Sequence, residues 1–125
     1  MGVHDPDAAR VSWRYRVGTY DTFRHTTSWP GLSRLQEFVR RVADSDYAAR
    51  YFTTQSMGRL GITPFPDFAR QQAAPKLWVG LTPDGIGFEL CDRDARVVKT
   101  RSAPAADALR VLGEMLEDLD ALPGA

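Results

Sequence analysis

Three stretches in the back half of the chain leave it little choice of fold. Leu77–Leu81, Ile86–Cys91 and Arg96–Arg101 read as strands, and only short turns separate them. Thr82-Pro83-Asp84-Gly85 is a turn by mechanism: Pro83 presets its angle, while Asp84 and Gly85 tolerate the tight return. Cys91-Asp92-Arg93-Asp94-Ala95 supplies the second turn. Neither connection has room for a crossover helix, so the three strands form an antiparallel meander. In the middle strand Ile86, Phe88 and Leu90 face a core, and Gly87, Glu89 and Cys91 face away. Trp78, and the adjacent pair Val97 and Val98, break the alternation in their strands. Both exceptions predict partial cover on the second face of the sheet.

Helices flank this meander. Leu32, Leu35, Phe38, Val39 and Val42 recur at helical spacing and make one apolar stripe. Ser33 and Gln36 have the spacing of a capping box, and Thr27 or Ser28 offers an earlier start with Pro30 in the first turn. A last helix is expected from about Ala103 to Leu122, with Ser102 as cap and Pro104 in its first turn. Its ridge is Ala105, Leu109, Leu112, Leu116 and Leu119, flanked by Ala108, Met115 and Leu122. Gly113 interrupts it, and Glu117, Asp118 and Asp120 crowd its carboxyl end against the helix dipole.

The front of the chain is harder to read. Residues 1–9 are polar, contain Pro6 and are expected to fray. Val11, Trp13, Tyr15 and Val17 alternate with Ser12, Arg14 and Arg16, the period of a strand with one buried face. That stretch is a candidate fourth strand at the edge of the meander. An irregular segment, Thr19–Gly31, follows it. A short helix with Asp46 as cap would let Tyr47, Tyr51 and Phe52 share a face, and Thr53–Pro64, with Gly58 and Gly61, reads as a connector. One or two helical turns are expected over Pro66–Gln72. Together these pieces predict one α+β domain over residues 1–125, an antiparallel sheet of three to four strands with N-terminal and C-terminal helices on one face.

At 125 residues, with 43% hydrophobic and 10% aromatic residues, the chain has the makings of a real core. Its formal net charge of zero gives no long-range field toward DNA, RNA or an acidic membrane. One cysteine cannot form an internal disulfide, and neither a secretory leader nor a long apolar run is visible, so a cytoplasmic protein is expected. Arginine outnumbers lysine fourteen to two, which is read as a bias of composition.

Motifs for chemistry are sparse. Cys91, His4 and His25 are widely separated, without the short spacings of a zinc site, and no nucleotide-cradling loop or nucleophile elbow occurs. No cofactor and no metal are expected. The densest polar cluster is Tyr20, Asp21, Arg24, His25 and Trp29. There His25 is a candidate general base, Asp21 would orient it and Arg24 would hold an anion. The competing reading is a loop that caps the first helix and plugs the sheet. Cys91 reads as an ordinary cysteine on the sheet.

Binding is better supported than catalysis. Arg14 and Arg16 share the outward face of the candidate strand, and Tyr20, Trp29 and Trp78 offer aromatic surface of the kind that anchors interfaces. The sequence therefore predicts a protein-binding regulatory, adaptor or accessory domain, whose partner is another protein or a second copy. Nucleic acid is disfavoured by the neutral charge. A small-ligand binder or small enzyme with a pocket near His25 is the alternative.

Overall fold

Asp5 starts the first helix. Its Oδ1 accepts the amide protons of Asp7 and Ala8 at 3.0 and 3.1 Å, and Pro6 occupies the first helical position, where no amide is needed. The computed structural model describes residues 5–23 and 29–125 in full and, for residues 24–26, the backbone only. The helix, α1, runs Pro6–Thr26. Val11–Val17 is thus helical and not an edge strand, and the expected fraying of residues 1–9 gives way to helix from Pro6 onward. The alternation misled because α1 carries two opposed sets of apolar residues. Ala9, Trp13 and Tyr20 are fully buried, whereas Val11 and Tyr15 are 57% and 69% exposed. The proposed helix starts at Thr27 or Ser28 fall outside the described residues.

The second helix, α2, spans Leu32–Ala43, and its five predicted stripe residues are all buried. Gly31 precedes it with no side-chain cap, so Ser33 and Gln36 form no capping box. Gln36 is buried instead and donates from Nε2 to the Tyr20 carbonyl at 2.9 Å, tying α2 to α1. A 3-10 turn, Asp46–Ala49, follows with Ser45 as its cap in place of Asp46.

The sheet has five strands in sequential order, one or two more than expected: β1 Phe52–Ser56, β2 Arg59–Thr63, β3 Lys76–Leu81, β4 Gly85–Cys91 and β5 Val97–Pro104. The additional pair comes from the presumed connector. Met57 and Gly58 both have positive φ, 51° and 80°, which is the requirement of the two-residue turn that matches strand twist. All pairings are antiparallel.

The register sorts the side chains cleanly. Leu60, Ile62, Leu77, Val79, Ile86, Phe88 and Leu90 are buried beneath α1, α2 and the C-terminal helix α4 (Ala108–Asp120). Phe38 of α2 meets Phe88 edge-on at 5.9 Å between centroids. Ala108, Val111, Leu112, Met115, Leu116 and Leu119 form the buried ridge of α4, which takes in Val111 and leaves the expected Ala105 and Leu109 only partly buried. This helix starts later than predicted because β5 continues through Pro104. Ser102 pairs with Gly87 and is no cap. The Val97–Val98 doublet has its own cause: the β4–β5 register slips at Leu90/Cys91, and both valines are about half exposed. No described helix is long and apolar enough to cross a membrane.

Candidate binding site

All three long helices lie on one face of the sheet, so the chemistry of the other face is set by strand residues and by α3, the five-residue helix Phe68–Gln72. Two bonds within the β2–β3 connection shape α3. Asp67 caps it, accepting from the Arg70 amide at 2.8 Å, and that backbone bond holds the Asp67 carboxyl below its ordinary pKa. Buried Gln71 donates from Nε2 to the Phe65 carbonyl at 3.0 Å. Phe68 stands at the rim and is 71% exposed.

Between α3 and the sheet lies a cavity of about 410 Å³, lined among others by Thr54, Phe68, Gln72, Lys76, Trp78 and Cys91. The register explains this company. Lys76 pairs across to Cys91, and Gly61 and Glu89 flank Trp78 on its neighbouring strands. The absence of a side chain at Gly61 makes room for the indole: a Cβ there would lie 2.9 Å from Trp78 Cζ3 and 2.5 Å from Thr54 Cγ2. The Arg59 guanidinium sits 4.9 Å from the Trp78 ring centroid and is held there by Glu89, 3.3 Å from Nη1. Beyond Trp78 the facing pair Gly80 and Gly87 puts no side chain of its own on this face, and a second hollow of about 270 Å³ continues the groove.

Electrostatics in the cavity disfavour Cys91 as a nucleophile. Burial lowers the pKa of Lys76, whose Nζ donates to the Ala74 carbonyl at 3.1 Å. Burial, and then the charge of Glu89, pushes the Cys91 thiol up, so it stays protonated at neutral pH. Among the described residues no group of three or more His, Cys, Asp and Glu side chains converges as a metal site would require.

The residues singled out from sequence disperse. On a helix Arg14 and Arg16 point about 200° apart and share no stripe. Arg14 is exposed, whereas Arg16 reaches β1, donating to Thr53 Oγ1 at 3.3 Å and Gln55 Oε1 at 3.1 Å. Tyr20 is fully buried, and its hydroxyl donates to the Gly58 carbonyl at 3.2 Å. Trp29 is half-buried against Tyr20 and Phe23 and lies over Gly58, so this aromatic group braces the β1–β2 turn. Asp21 is paired with Arg40 at 2.6 Å. The side chains of Arg24 and His25 lie outside the described residues, as does His4. A more open hollow of about 370 Å³ beside Trp29 is lined by α2, including Gln36 and Arg40.

Trp78 is thus the one predicted binding residue that belongs to the groove. Phe68, Lys76 and Arg59 were not foreseen. The broken alternation at Trp78 was a usable signal, whereas the placement of Phe68 depends on where the β2–β3 connection folds. No family model matches the chain, and no similar curated protein or solved structure is found for it.

Proposed function

We propose that the protein is a small binding domain, an adaptor or accessory subunit, that takes an extended segment of a partner protein across the face of its sheet that carries α3. The observation that carries this reading is the exposed Phe68, which lines the 410 Å³ cavity together with Trp78 and Lys76. A large apolar side chain held at a cavity rim is characteristic of recognition surfaces, and tryptophan with arginine is a frequent anchor. The groove is polar at Gln72 and cationic at Lys76, so the favoured segment places an apolar side chain beside Trp78 and a carboxylate toward Lys76.

The test is a peptide array probed with purified protein, followed by titration of the best binders. Phe68→Asp is a rim change that should leave folding intact and weaken binding by about tenfold or more. Lys76→Gln should selectively weaken peptides that carry the acid. Equal affinities for wild type and both variants would remove this face from the reading.

One observation favours a second reading. The cavity volume falls in the range of small-molecule sites, roughly 300–1,000 Å³. A carboxylate-bearing aromatic compound would meet the same groups. A thermal-shift screen of such compounds separates the readings, since a ligand that raises Tm in wild type and not in Lys76→Gln would favour a small-ligand binder.

A further inference from the structure

The second apolar set on α1 has a regular spacing. Ala8, Val11, Tyr15, Gly18 and Thr22 recur at intervals of three and four, the seam of a coiled coil, and all five are exposed. The seam spans about 21 Å at about 1.5 Å per residue. It lies opposite the face that carries Ala9, Trp13 and Tyr20 into the core. The Thr22 hydroxyl is satisfied within the helix, donating from Oγ1 to the Gly18 carbonyl at 2.9 Å.

Gly18 has no packing reason among the described residues. A Cβ there would meet none of their atoms within 4 Å, although glycine inside a helix is among the least favourable residues. Gly113 in α4 differs, because a Cβ at that position would run into the Tyr47 hydroxyl. A notch at Gly18, with the projecting Tyr15 ring one turn before it, is half of a knob-and-hole pair.

We propose that α1 pairs antiparallel with α1 of a second copy along this seam. In that register Tyr15 packs over Gly18 of the partner subunit, and Val11 packs against Thr22 of the partner subunit. Twofold symmetry repeats both contacts. Charge chooses the direction. Arg14 flanks the seam and has no hydrogen-bond or ion-pair partner among the described residues, and Asp21 lies one heptad later on the same flank. Antiparallel pairing brings Arg14 beside Asp21 of the partner subunit twice over, and parallel pairing does not. Asp21 already engages Arg40 through Oδ1, so the pairing forms a three-membered charge cluster. The contact lies on the helix side of the sheet and leaves both proposed grooves free.

Sedimentation velocity on the full chain, from low micromolar to near-millimolar concentration, tests the pairing. Wild type should shift from monomer to dimer. Gly18→Leu should raise Tm, because leucine favours helix, and yet weaken dimerisation by about tenfold or more. These opposite signs separate an interface role from a folding role. Arg14→Asp and Asp21→Arg should each weaken the dimer, and the double variant should restore it. A wild type that stays monomeric throughout overturns the proposal. So does a dimer that persists in Gly18→Leu, or a charge-swapped double variant no better than the single ones. The peptide array reports on the sheet face separately, so failure of either idea leaves the other standing.

Discussion

The Tyr51 hydroxyl donates to Asp120 Oδ2 at 2.7 Å, joining the approach to the first strand to the last turn of α4. This bond resolves a conflict in the sequence, where acids crowd the carboxyl end of a helix whose dipole disfavours them. Two of the three offenders, Asp118 and Asp120, have an answer in space, whereas Glu117 has no ion-pair partner among the described residues. Arg50 adds a second contact to Asp120 at 3.8 Å, Lys99 holds Asp118 at 2.7 Å, and Arg101 and Arg110 both reach Glu114. Tyr51→Phe leaves the ring in place and removes only the donor. The expected loss is about 1 kcal/mol, below the usual value for a hydrogen bond to a charged group because Asp120 is half exposed. Urea denaturation with an unchanged m-value would check it, and a change within error would show that water replaces the bond.

The same hydroxyl, with that of Tyr20, sets the alkaline limit of stability. Burial raises Tyr20 to about 12, and burial together with the Asp120 bond raises Tyr51 well above the ordinary tyrosine value. For both groups the folded state holds the proton more tightly than the unfolded chain does. Their contribution is therefore complete below the unfolded pKa near 10 and is lost as pH rises through the folded values. Unfolding free energy should fall above about pH 10. The drop should shrink in a Tyr20→Phe, Tyr51→Phe double variant. A stability curve flat to pH 11 would contradict the assigned environments of both rings.

Removing the Asp5 cap tests the start of α1. Asp5→Ala leaves the amides of Asp7 and Ala8 without their acceptor and should cost about 1 kcal/mol, whereas Asp5→Ser should recover most of it. Circular dichroism melts on the three proteins would check the order. Equal melts would mean that burial of Ala9 and Trp13 alone sets the first turn.

This cap also marks what could be read in the sequence and what could not. Asp5-Pro6 is a helix-start signal, but the alternation of Val11, Trp13, Tyr15 and Val17 spoke more strongly for a strand. Period two and two opposed helical faces give the same pattern over seven residues. The β1–β2 hairpin was missed for a different reason: Met57-Gly58 lacks the usual asparagine or aspartate of such a turn, so its positive angles had no signature. The meander, the α2 stripe and the α4 ridge were legible because burial on one face enforces their periods. Of the groove, only Trp78 left a trace. Phe68 and Lys76 meet there through the path of the β2–β3 connection, a tertiary fact with no local pattern.

Leu116 measures how much the α4 ridge matters. It is 1% exposed and part of the main core, so Leu116→Ala should destabilise the fold by about 2–5 kcal/mol. Chemical denaturation would read this directly, and a loss below roughly 1 kcal/mol would mean that α4 contributes little to the core.

The two mid-helix glycines should respond oppositely to the same substitution. Gly18→Ala adds a methyl group in open space and should stabilise the monomer by about 0.5–1 kcal/mol through helix propensity alone. At Gly113 the same methyl would run into the Tyr47 hydroxyl, so the propensity gain is offset by displacement of a half-buried ring. Gly113→Ala is therefore expected to be neutral or destabilising. In a Tyr47→Phe background, where the obstructing oxygen is gone, it should turn stabilising by up to about 1 kcal/mol. A double-mutant cycle read by urea denaturation isolates this coupling. Additive changes would show that Tyr47 moves aside at no cost and that its hydroxyl does not account for a glycine at position 113.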